Sequence, residues 1–143
     1  TQSRSSAASD VYKRQDGEIP QLQQANSFEV YKNIISNFFT NKIGSNGIIL
    51  MDPTSFKTIA KILKVLDLDN HVELYTINQV KGLEFDNVLV LDIDKSKYIE
   101  DYSNLEDNEN NEVAKQLYVA ITRATTNLAL TYQNYDMNFY LGG

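Results

Sequence analysis

The sequence predicts an α/β protein whose mostly parallel sheet is flanked by helices. Short continuous apolar runs, which suit strands buried on both faces, recur along the chain. Between them lie segments whose apolar residues repeat every three or four positions, the spacing of an amphipathic helix. Turn-forming Gly, Asn, Asp and Pro separate the two kinds of segment. Strands and helices that alternate in this way are typical of a parallel sheet with crossover helices.

The first helix is predicted from residue 27 to 42, with Ser27 as its N-cap. Two glycines and two asparagines between residues 41 and 47 predict a turn. The apolar run over residues 47–51 then predicts a strand, which stops at Asp52-Pro53. The strand, the turn and the helix that follows are the opening of a βαβ unit.

The later elements continue the alternation. Helical spacing predicts helices over residues 56–66 and 112–124, and apolar runs predict strands over residues 72–77, 87–92 and 127–132. Between the last two of these strands, residues 94–111 are dominated by Asp, Glu, Asn and Ser, which predicts a solvated loop or insertion.

The chain divides into a tail and one domain. Residues 1–15 are rich in serine and lack apolar periodicity, which predicts a disordered tail. Residues 6–15 also resemble a translated sequencing-adapter scar, so we expect this tail to be an artefact, although a native flexible tail is the alternative. Residues 16–143 are then expected to be one domain and a fragment of a longer protein.

Composition limits the function classes. The chain has 143 residues and a net charge of -6, and this acidic balance argues against an independent DNA-binding module. It has no cysteine, which excludes disulfides and thiolate metal sites and fits a cytoplasmic protein. No apolar stretch approaches the roughly 18 residues of a membrane span.

The segment over residues 76–86 (Thr-Ile-Asn-Gln-Val-Lys-Gly-Leu-Glu-Phe-Asp) lies between two predicted strands. It follows the carboxyl end of a strand, where ligands bind in open α/β sheets. Gly82 would allow a ligand to approach the backbone closely. Lys81 offers a cation, and Glu84 an acceptor for hydroxyl groups. On its own, a Lys-Gly pair in a loop is more often a simple turn.

The segment over residues 117–124 (Leu-Tyr-Val-Ala-Ile-Thr-Arg-Ala) ends the last predicted helix. Arg123 could stand there only because cations stabilise helix C-termini. Tyr118 is expected to be a core aromatic residue of that helix.

Together these two segments resemble the fifth and sixth motifs of the UvrD/Rep-like superfamily-one DNA helicases, in the family's order. The strand and helix over residues 48–66 are similar to the fourth-motif region, and the resemblance extends over residues 47–132. It implies a RecA-like P-loop NTPase-type fold with three layers, and it identifies the chain as similar to the C-terminal motor domain.

The resemblance also implies residue roles. Arg123 would reach the γ-phosphate of ATP as an arginine finger. Glu84 would hydrogen-bond the ribose, and Gly82 would bring the backbone near the nucleotide. Lys81 and Thr76 would lie at the interface of DNA and nucleotide.

Position 78 departs from the family pattern. Family members have His where this chain has Asn78. Any coupling that depends on a histidine is thereby put in doubt, although an amide keeps one donor and one acceptor group.

The sequence contains no phosphate-binding loop and no paired Asp-Glu segment suited to Mg²⁺. The resemblance places both in an N-terminal motor domain of the same protein. ATP and Mg²⁺ would therefore bind between that domain and this one. The partner would be single-stranded DNA, along which the protein would move 3′ to 5′. The isolated fragment is expected to be inactive.

Two alternatives change the function. The motif segments also suit the helicase-IV/HelD-like branch, some of whose members act on RNA polymerase. A degenerate, non-enzymatic scaffold is the other, and the retained Arg123 and Glu84 argue against it. The sequence does not distinguish repair from other pathways.

Other polar residues are expected to be ordinary surface. Asp92 and Asp94 are interpreted as carboxylates at a strand end that face solvent, and no metal ligand is predicted. His71 is expected in an exposed turn. The acidic residues between positions 100 and 109 are expected in a solvated loop.

Overall fold

A computed structural model describes residues 21–95 and 115–134 of the chain. The predicted tail at residues 1–15 and nearly all of the predicted acidic insertion lie outside these described residues. The described part forms an α/β fold built on one five-stranded sheet.

The sheet is parallel throughout, as predicted. Its strands are β1 (Gln21–Gln24), β2 (Asn46–Leu50), β3 (Glu73–Thr76), β4 (Phe85–Leu91) and β5 (Ala124–Tyr132). They are ordered β1-β5-β4-β2-β3, and every neighbouring pair is parallel. All five strands therefore begin at one end of the sheet, the amino end, and finish at the other, the carboxyl end.

Two helices cover one face of the sheet. Helix α1 (Phe28–Phe39) begins at Ser27, whose hydroxyl accepts from the amide of Val30 as the predicted N-cap. Helix α2 (Phe56–Val65) follows a 3₁₀ turn at Pro53–Ser55. Both helices direct apolar residues at β2, β4 and β5, and the cluster they form is completely or almost completely buried: Tyr31, Ile35, Phe39, Ile48, Leu50, Ile59, Ile62, Leu63, Leu89, Leu91 and Ala129.

The opposite face is covered by the helical residues 115–121, here α3, and by the segment between β3 and β4. Because side chains alternate along a strand, the same central strands supply this second cluster. Its members include Ile49, Val88, Val90, Leu128 and Leu130, packed on Ile77, Val80, Leu117, Ala120 and Ile121. Burial of the central strands on both faces explains their unbroken apolar sequences.

An asparagine ladder aligns the strands at the amino end. Asn46, Asn87 and Asn127 are paired in register on β2, β4 and β5. The amide nitrogen of Asn87 donates to Asn46 at 2.9 Å, and its oxygen accepts from Asn127 at 2.8 Å. Asn87 is fully buried, so these bonds satisfy a side chain that would otherwise destabilise the sheet.

The largest differences from the predicted boundaries lie at the ends of two helices and at the beginning of β5. Helix α1 ends at Phe39 because its C-cap Thr40 is extended and Asn41 then adopts a positive φ of 61°, and Ile43 lies outside the helix with 91% of its surface exposed. The last helix was predicted to reach Ala124, but its helical residues end at 121 and Ala124 begins β5. Ala124 is paired with Phe85 in the sheet, so it belongs to β5 and not to the helix.

Strand β1 was not predicted. Its sequence, Gln-Leu-Gln-Gln, lacks an apolar run, and it lies at the edge of the sheet, paired to β5 through its backbone. Within the described residues, no helix has the length and hydropathy that a membrane span requires.

Candidate functional site

The two segments singled out in the sequence lie side by side. The amide of Phe85 donates to the carbonyl of Arg123 at 2.8 Å. The Nη1 atom of Arg123 donates to the carbonyl of Val80 at 3.4 Å. The structure therefore brings Arg123 to the loop that contains Lys81, Gly82 and Glu84.

A tight turn forms the centre of this loop. The amide of Leu83 donates to the carbonyl of Val80 at 3.0 Å, which closes a turn over residues 80–83. Gly82 has a φ of 84°, the value that the third position of a type II turn requires. A Cβ atom at Gly82 would meet no atom within 4 Å. The glycine is therefore needed for its backbone conformation, and the space beside it is open.

Arg123 is half-buried and its guanidinium is incompletely paired. Besides the contact with Val80, its Nη2 atom donates to the hydroxyl of Thr122 at 3.2 Å. Its Nε atom is buried and has no hydrogen-bond partner among residues 21–95 and 115–134. Because a guanidinium carries five N–H donors, several of them remain free for an acceptor such as a phosphate oxygen.

The other predicted site residues of this loop are accessible. Asn78, Lys81, Gly82 and Glu84 are all exposed. Thr76 is half-buried at the last position of β3, and its amide donates to the side chain of Gln79 at 2.9 Å. This bond supports the short 3₁₀ helix at Ile77–Gln79, with which the loop begins.

The loop over residues 77–84, here called the crossing loop, runs from one end of the sheet to the other. Thr76 pairs with Leu50 at the carboxyl end, while Glu84 immediately precedes β4 at the amino end. Arg123 immediately precedes β5 and lies at the amino end as well. The segment therefore follows the carboxyl end of a strand at Thr76, as expected, whereas Gly82, Glu84 and Arg123 lie at the amino end. The loop must return to the amino end because β3 and β4 are parallel.

The carboxyl end holds a buried acidic network instead of solvent-facing carboxylates. Asp92 and Asp94 are 1% and 2% exposed, so the interpretation of both as surface residues is wrong. Asp92 accepts from the hydroxyls of Tyr31 and Ser55. Asp94 accepts from the amides of Gln133 and Asn134 at 2.9 and 2.7 Å. These donors, distant in sequence, allow the carboxylates to be buried.

Burial changes the pKa values in this network. Desolvation raises the pKa of Asp92, and the hydrogen bonds from Tyr31, Gln133 and Ser55 offset this only in part. Desolvation also raises the pKa of the Tyr31 hydroxyl, and the hydrogen bond to Asp92 adds to that effect. The network is acidic and its groups are bonded to one another, so it is poorly suited to an anionic ligand.

Two further residues were assigned in the sequence. Tyr118 was expected in the core but is 42% exposed, because Leu117, Ala120 and Ile121 form the buried side of α3. His71 is exposed in a turn, as expected, and its amide donates to the carbonyl of Leu68. The acidic residues at positions 100–109 lie outside the described residues.

Asp86 is a polar residue near the loop to which the sequence drew no attention. Its carboxylate accepts from the amide of Ser45 at 2.9 Å and from the hydroxyl of Thr125 at 3.2 Å. These hydrogen bonds, that of the Ser45 amide first, lower the pKa of Asp86. Asp86, which lies in β4, thereby joins Ser45, just before β2, to Thr125 at the beginning of β5. Its neighbour Glu84 remains free to face solvent.

No group of three or more His, Cys, Asp or Glu side chains in the described residues could hold a metal ion. No described residue is therefore assigned as a metal ligand.

Comparison with solved structures finds several similar chains. The crystal structure of the C-terminal domain of a possible DNA helicase from Lactobacillus plantarum WCFS1 matches with a TM-score of 0.63. The identity is 19%, and the match covers 93% of this chain and 86% of that one. At this identity the likeness establishes the fold. No match was found among curated proteins.

The family comparison covers most of the chain. The family model described as the UvrD-like helicase C-terminal domain matches residues 10–135. The match includes the crossing loop and Arg123, and it confirms the resemblance seen in the two motif segments and the RecA-like fold class. The chain belongs to the UvrD-like helicase C-terminal domain family, and its function is of the helicase type.

Proposed function

We propose that this chain is the second motor domain of an ATP-dependent DNA helicase. It would bind ATP between itself and an N-terminal motor domain of the same protein. Arg123 would act as the arginine finger, while Gly82 and Glu84 would contact the nucleotide. Thr76, Asn78 and Lys81 would connect the nucleotide to single-stranded DNA.

The observation that carries this proposal is the position of Arg123 against the Val80 carbonyl, beside the open turn at Gly82. A cation, an exposed carboxylate and accessible backbone meet there at the amino end of the sheet. Arg123 would supply charge to the phosphates, and Glu84 would accept from ribose hydroxyls. A helix-end cation with a purely structural role would not need a neighbouring open turn.

The path of the crossing loop supports a coupling role. Thr76 and Arg123 lie at opposite ends of the sheet, separated by about 20 Å along the strand direction. A single segment of the chain connects them, and its Val80 contacts Arg123 directly. If Arg123 turned from Val80 toward a phosphate, the loss of this contact would release the segment whose other end we assign to DNA.

The described residues fit one wall of an ATP site. The Nη atoms of Arg123 make two long hydrogen bonds in the described structure, at 3.4 and 3.2 Å, and a phosphate oxygen would provide a stronger acceptor for their remaining N–H groups. Mg²⁺ would be held by carboxylates of the N-terminal motor domain, and no residue of this chain is assigned to it. The isolated chain should therefore bind ATP weakly and hydrolyse none.

The direct test is reconstitution with the N-terminal motor domain of the same protein. ATP hydrolysis stimulated by single-stranded DNA should require both parts, and each part alone should remain at background. Low-micromolar ATP affinity or turnover of the isolated chain would contradict a shared site. No ATP hydrolysis by the reconstituted protein would favour a scaffold.

The same protein tests polarity and partner. Partial duplexes with a 3′ tail should be unwound and those with a 5′ tail should not, as expected of 3′-to-5′ translocation. ATP hydrolysis stimulated by RNA polymerase and not by DNA would instead favour a HelD-like function.

A further inference from the structure

Helix α2 carries a basic surface in an acidic protein. Its sequence, Phe-Lys-Thr-Ile-Ala-Lys-Ile-Leu-Lys-Val, contains three lysines and no acidic residue, although the whole chain has a net charge of -6. Lys57, Lys61 and Lys64 are all exposed. We call these three side chains the lysine stripe.

The lysine stripe is opposite the buried side of the helix. At 3.6 residues per turn, its three members fall within an arc of about 60°. The residues that contact the sheet, Ile59 and Ile62, project from the other side and are fully buried. Along the axis the lysines are spaced by about 6 and 4.5 Å, so they form one continuous row.

No described carboxylate forms an ion pair with the lysine stripe. The ammonium of Lys61 instead lies 5.9 Å from the centre of the Phe28 ring. The charges of the row are thus uncompensated within the described structure, and the row is complementary to an extended polyanion.

An exposed aromatic ring accompanies the lysine stripe. Phe56 is 38% exposed and lines, with Lys64 and Tyr75, a groove between α2 and the edge strand β3. Single-stranded nucleic acid is recognised by basic rows that follow its phosphates and by aromatic rings on which its bases stack. Asp69 and Glu73 line the other part of the groove, so phosphates would be confined to the lysine side.

The lysine stripe and the crossing loop both begin at the carboxyl end of the sheet. Helix α2 starts just beyond the carboxyl end of β2, and Thr76 is paired with Leu50 at that same end. The helix covers the face of the sheet opposite α3 and Val80. A strand bound at Thr76 could therefore continue along α2 on the face of the sheet away from Val80.

We infer that the lysine stripe and Phe56 form a second contact surface for single-stranded DNA, outside the two motif segments. This inference rests on the proposed helicase function. The lysine stripe would increase the affinity for single-stranded DNA through electrostatic contacts, and it is separate from the residues assigned to ATP.

The test is the binding of the full chain to a fluorescent oligo-dT at salt concentrations from about 50 to 200 mM. The variant Lys57→Gln/Lys61→Gln/Lys64→Gln should reduce the slope of log affinity against log salt by about 2, since each phosphate contact on a single strand contributes about 0.7. Affinity at the lowest salt should fall on the order of tenfold to a hundredfold. Phe56→Ala should lower affinity and leave the slope nearly unchanged.

A matched control has the same net charge. Lys32→Gln/Lys42→Gln/Lys95→Gln removes three lysines elsewhere, including Lys42, which lies over the Phe38 ring as Lys61 lies over Phe28. This control should keep the wild-type slope, and melting temperatures should show that both variants fold. Equal slopes for the two triple variants, or no binding by the wild-type chain, would overturn the inference.

Two further measurements separate the outcomes. Binding to phosphatidylserine vesicles in place of the oligonucleotide, lost in the stripe variant, would reassign the surface to membranes and overturn the inference. In the two-domain protein, the stripe variant should keep its ATP hydrolysis without DNA. If the stripe variant binds oligo-dT with the reduced slope expected but the reconstituted protein hydrolyses no ATP, the proposed motor function is wrong and the binding surface stands.

Discussion

The amide of Phe85 and the carbonyl of Arg123 are joined by a 2.8 Å hydrogen bond, so the residues at the beginning of β4 and before β5 are held together. This bond sets the backbone of Arg123 independently of its side chain. The guanidinium can therefore leave the Val80 carbonyl without moving the backbone that carries it. The backbone of Arg123 is thus held by β4, while its side chain can exchange the Val80 carbonyl for another acceptor.

Substitution of Arg123 should separate catalysis from stability. In the two-domain protein, Arg123→Ala should lower ATP turnover by about 10³ to 10⁵, because the group would stabilise charge that develops in the transition state. Its weak contacts with Val80 and Thr122 should make the effect on unfolding no more than about 1–2 kcal/mol. Steady-state ATP hydrolysis and thermal melting of the same variant measure both effects.

Arg123→Lys is the control. A lysine keeps the charge but lacks the planar fork, so little turnover should return. If Arg123→Ala lowers turnover less than about tenfold, Arg123 is only a helix-end cation, whose contribution to stability is typically below about 1 kcal/mol.

Gly82 and Gly44 should respond differently to alanine. Both have positive φ, 84° and 103°. A Cβ at Gly82 meets open space, so Gly82→Ala should lower the free energy of unfolding only by the backbone strain, about 1–2 kcal/mol. A Cβ at Gly44 would lie 2.1 Å from the carboxylate of Asp86 and displace it from Ser45. Gly44→Ala should therefore destabilise by about 2–4 kcal/mol.

Urea unfolding of the two variants measures this difference. Gly82→Asn provides a control, because asparagine tolerates positive φ better than alanine and should be less destabilising. Equal losses in Gly82→Ala and Gly44→Ala would show that the space around the two glycines is not as described.

The elements that could be predicted from the sequence are those that a local pattern of apolar residues specifies. The strands at β2 and β4 are continuous apolar runs because both faces of the sheet are covered, and the run itself reveals this. Strand β1 has one apolar residue in four, since only its backbone pairing with β5 places it in the sheet. No periodicity could have indicated it.

Features of the site that depend on distant partners could not be predicted. Asp92 follows an apolar strand and looked solvated, but its carboxylate accepts from Tyr31 and Ser55, which are 61 and 37 residues away. Its amide donates to the hydroxyl of Thr131, 39 residues away. The contact of Arg123 with Val80 also spans 43 residues. The motif segments indicated that these residues belong together, and the parallel sheet determines at which end they meet.

The asparagine ladder should be important for stability. Asn87→Ala would remove a fully buried side chain that bonds to Asn46, Asn127 and the carbonyl of Ile43. Unpaired groups would remain at the amino end of the sheet, and the loss should be about 2–4 kcal/mol by urea unfolding. Asn46→Ala, at a half-buried position, should cost about half as much. A loss below 1 kcal/mol for Asn87→Ala would mean that water replaces the ladder.

The last prediction concerns the pH dependence of stability. Burial raises the pKa of Asp92 in the folded protein, so the folded state binds a proton more tightly than the unfolded chain. The contribution of Asp92 to the free energy of unfolding is then largest below the ordinary pKa of aspartate, about 3.9, and is lost as pH rises through the raised value. Asp92→Asn cannot ionise, so wild type should lose stability relative to this variant as pH rises above about 4.

Asp86 provides the opposite control. Hydrogen bonds from Ser45 and Thr125 lower its pKa, so its contribution is present above the ordinary pKa of aspartate and is lost as pH falls through the lowered value. Wild type should therefore lose stability relative to Asp86→Asn below about pH 4, in a different window and with the opposite slope. Urea unfolding of the three proteins across both windows measures the two slopes. If the curves of wild type and Asp92→Asn stay parallel above about pH 4, Asp92 ionises alike in the folded and unfolded states, and its carboxylate must be hydrated in the folded protein.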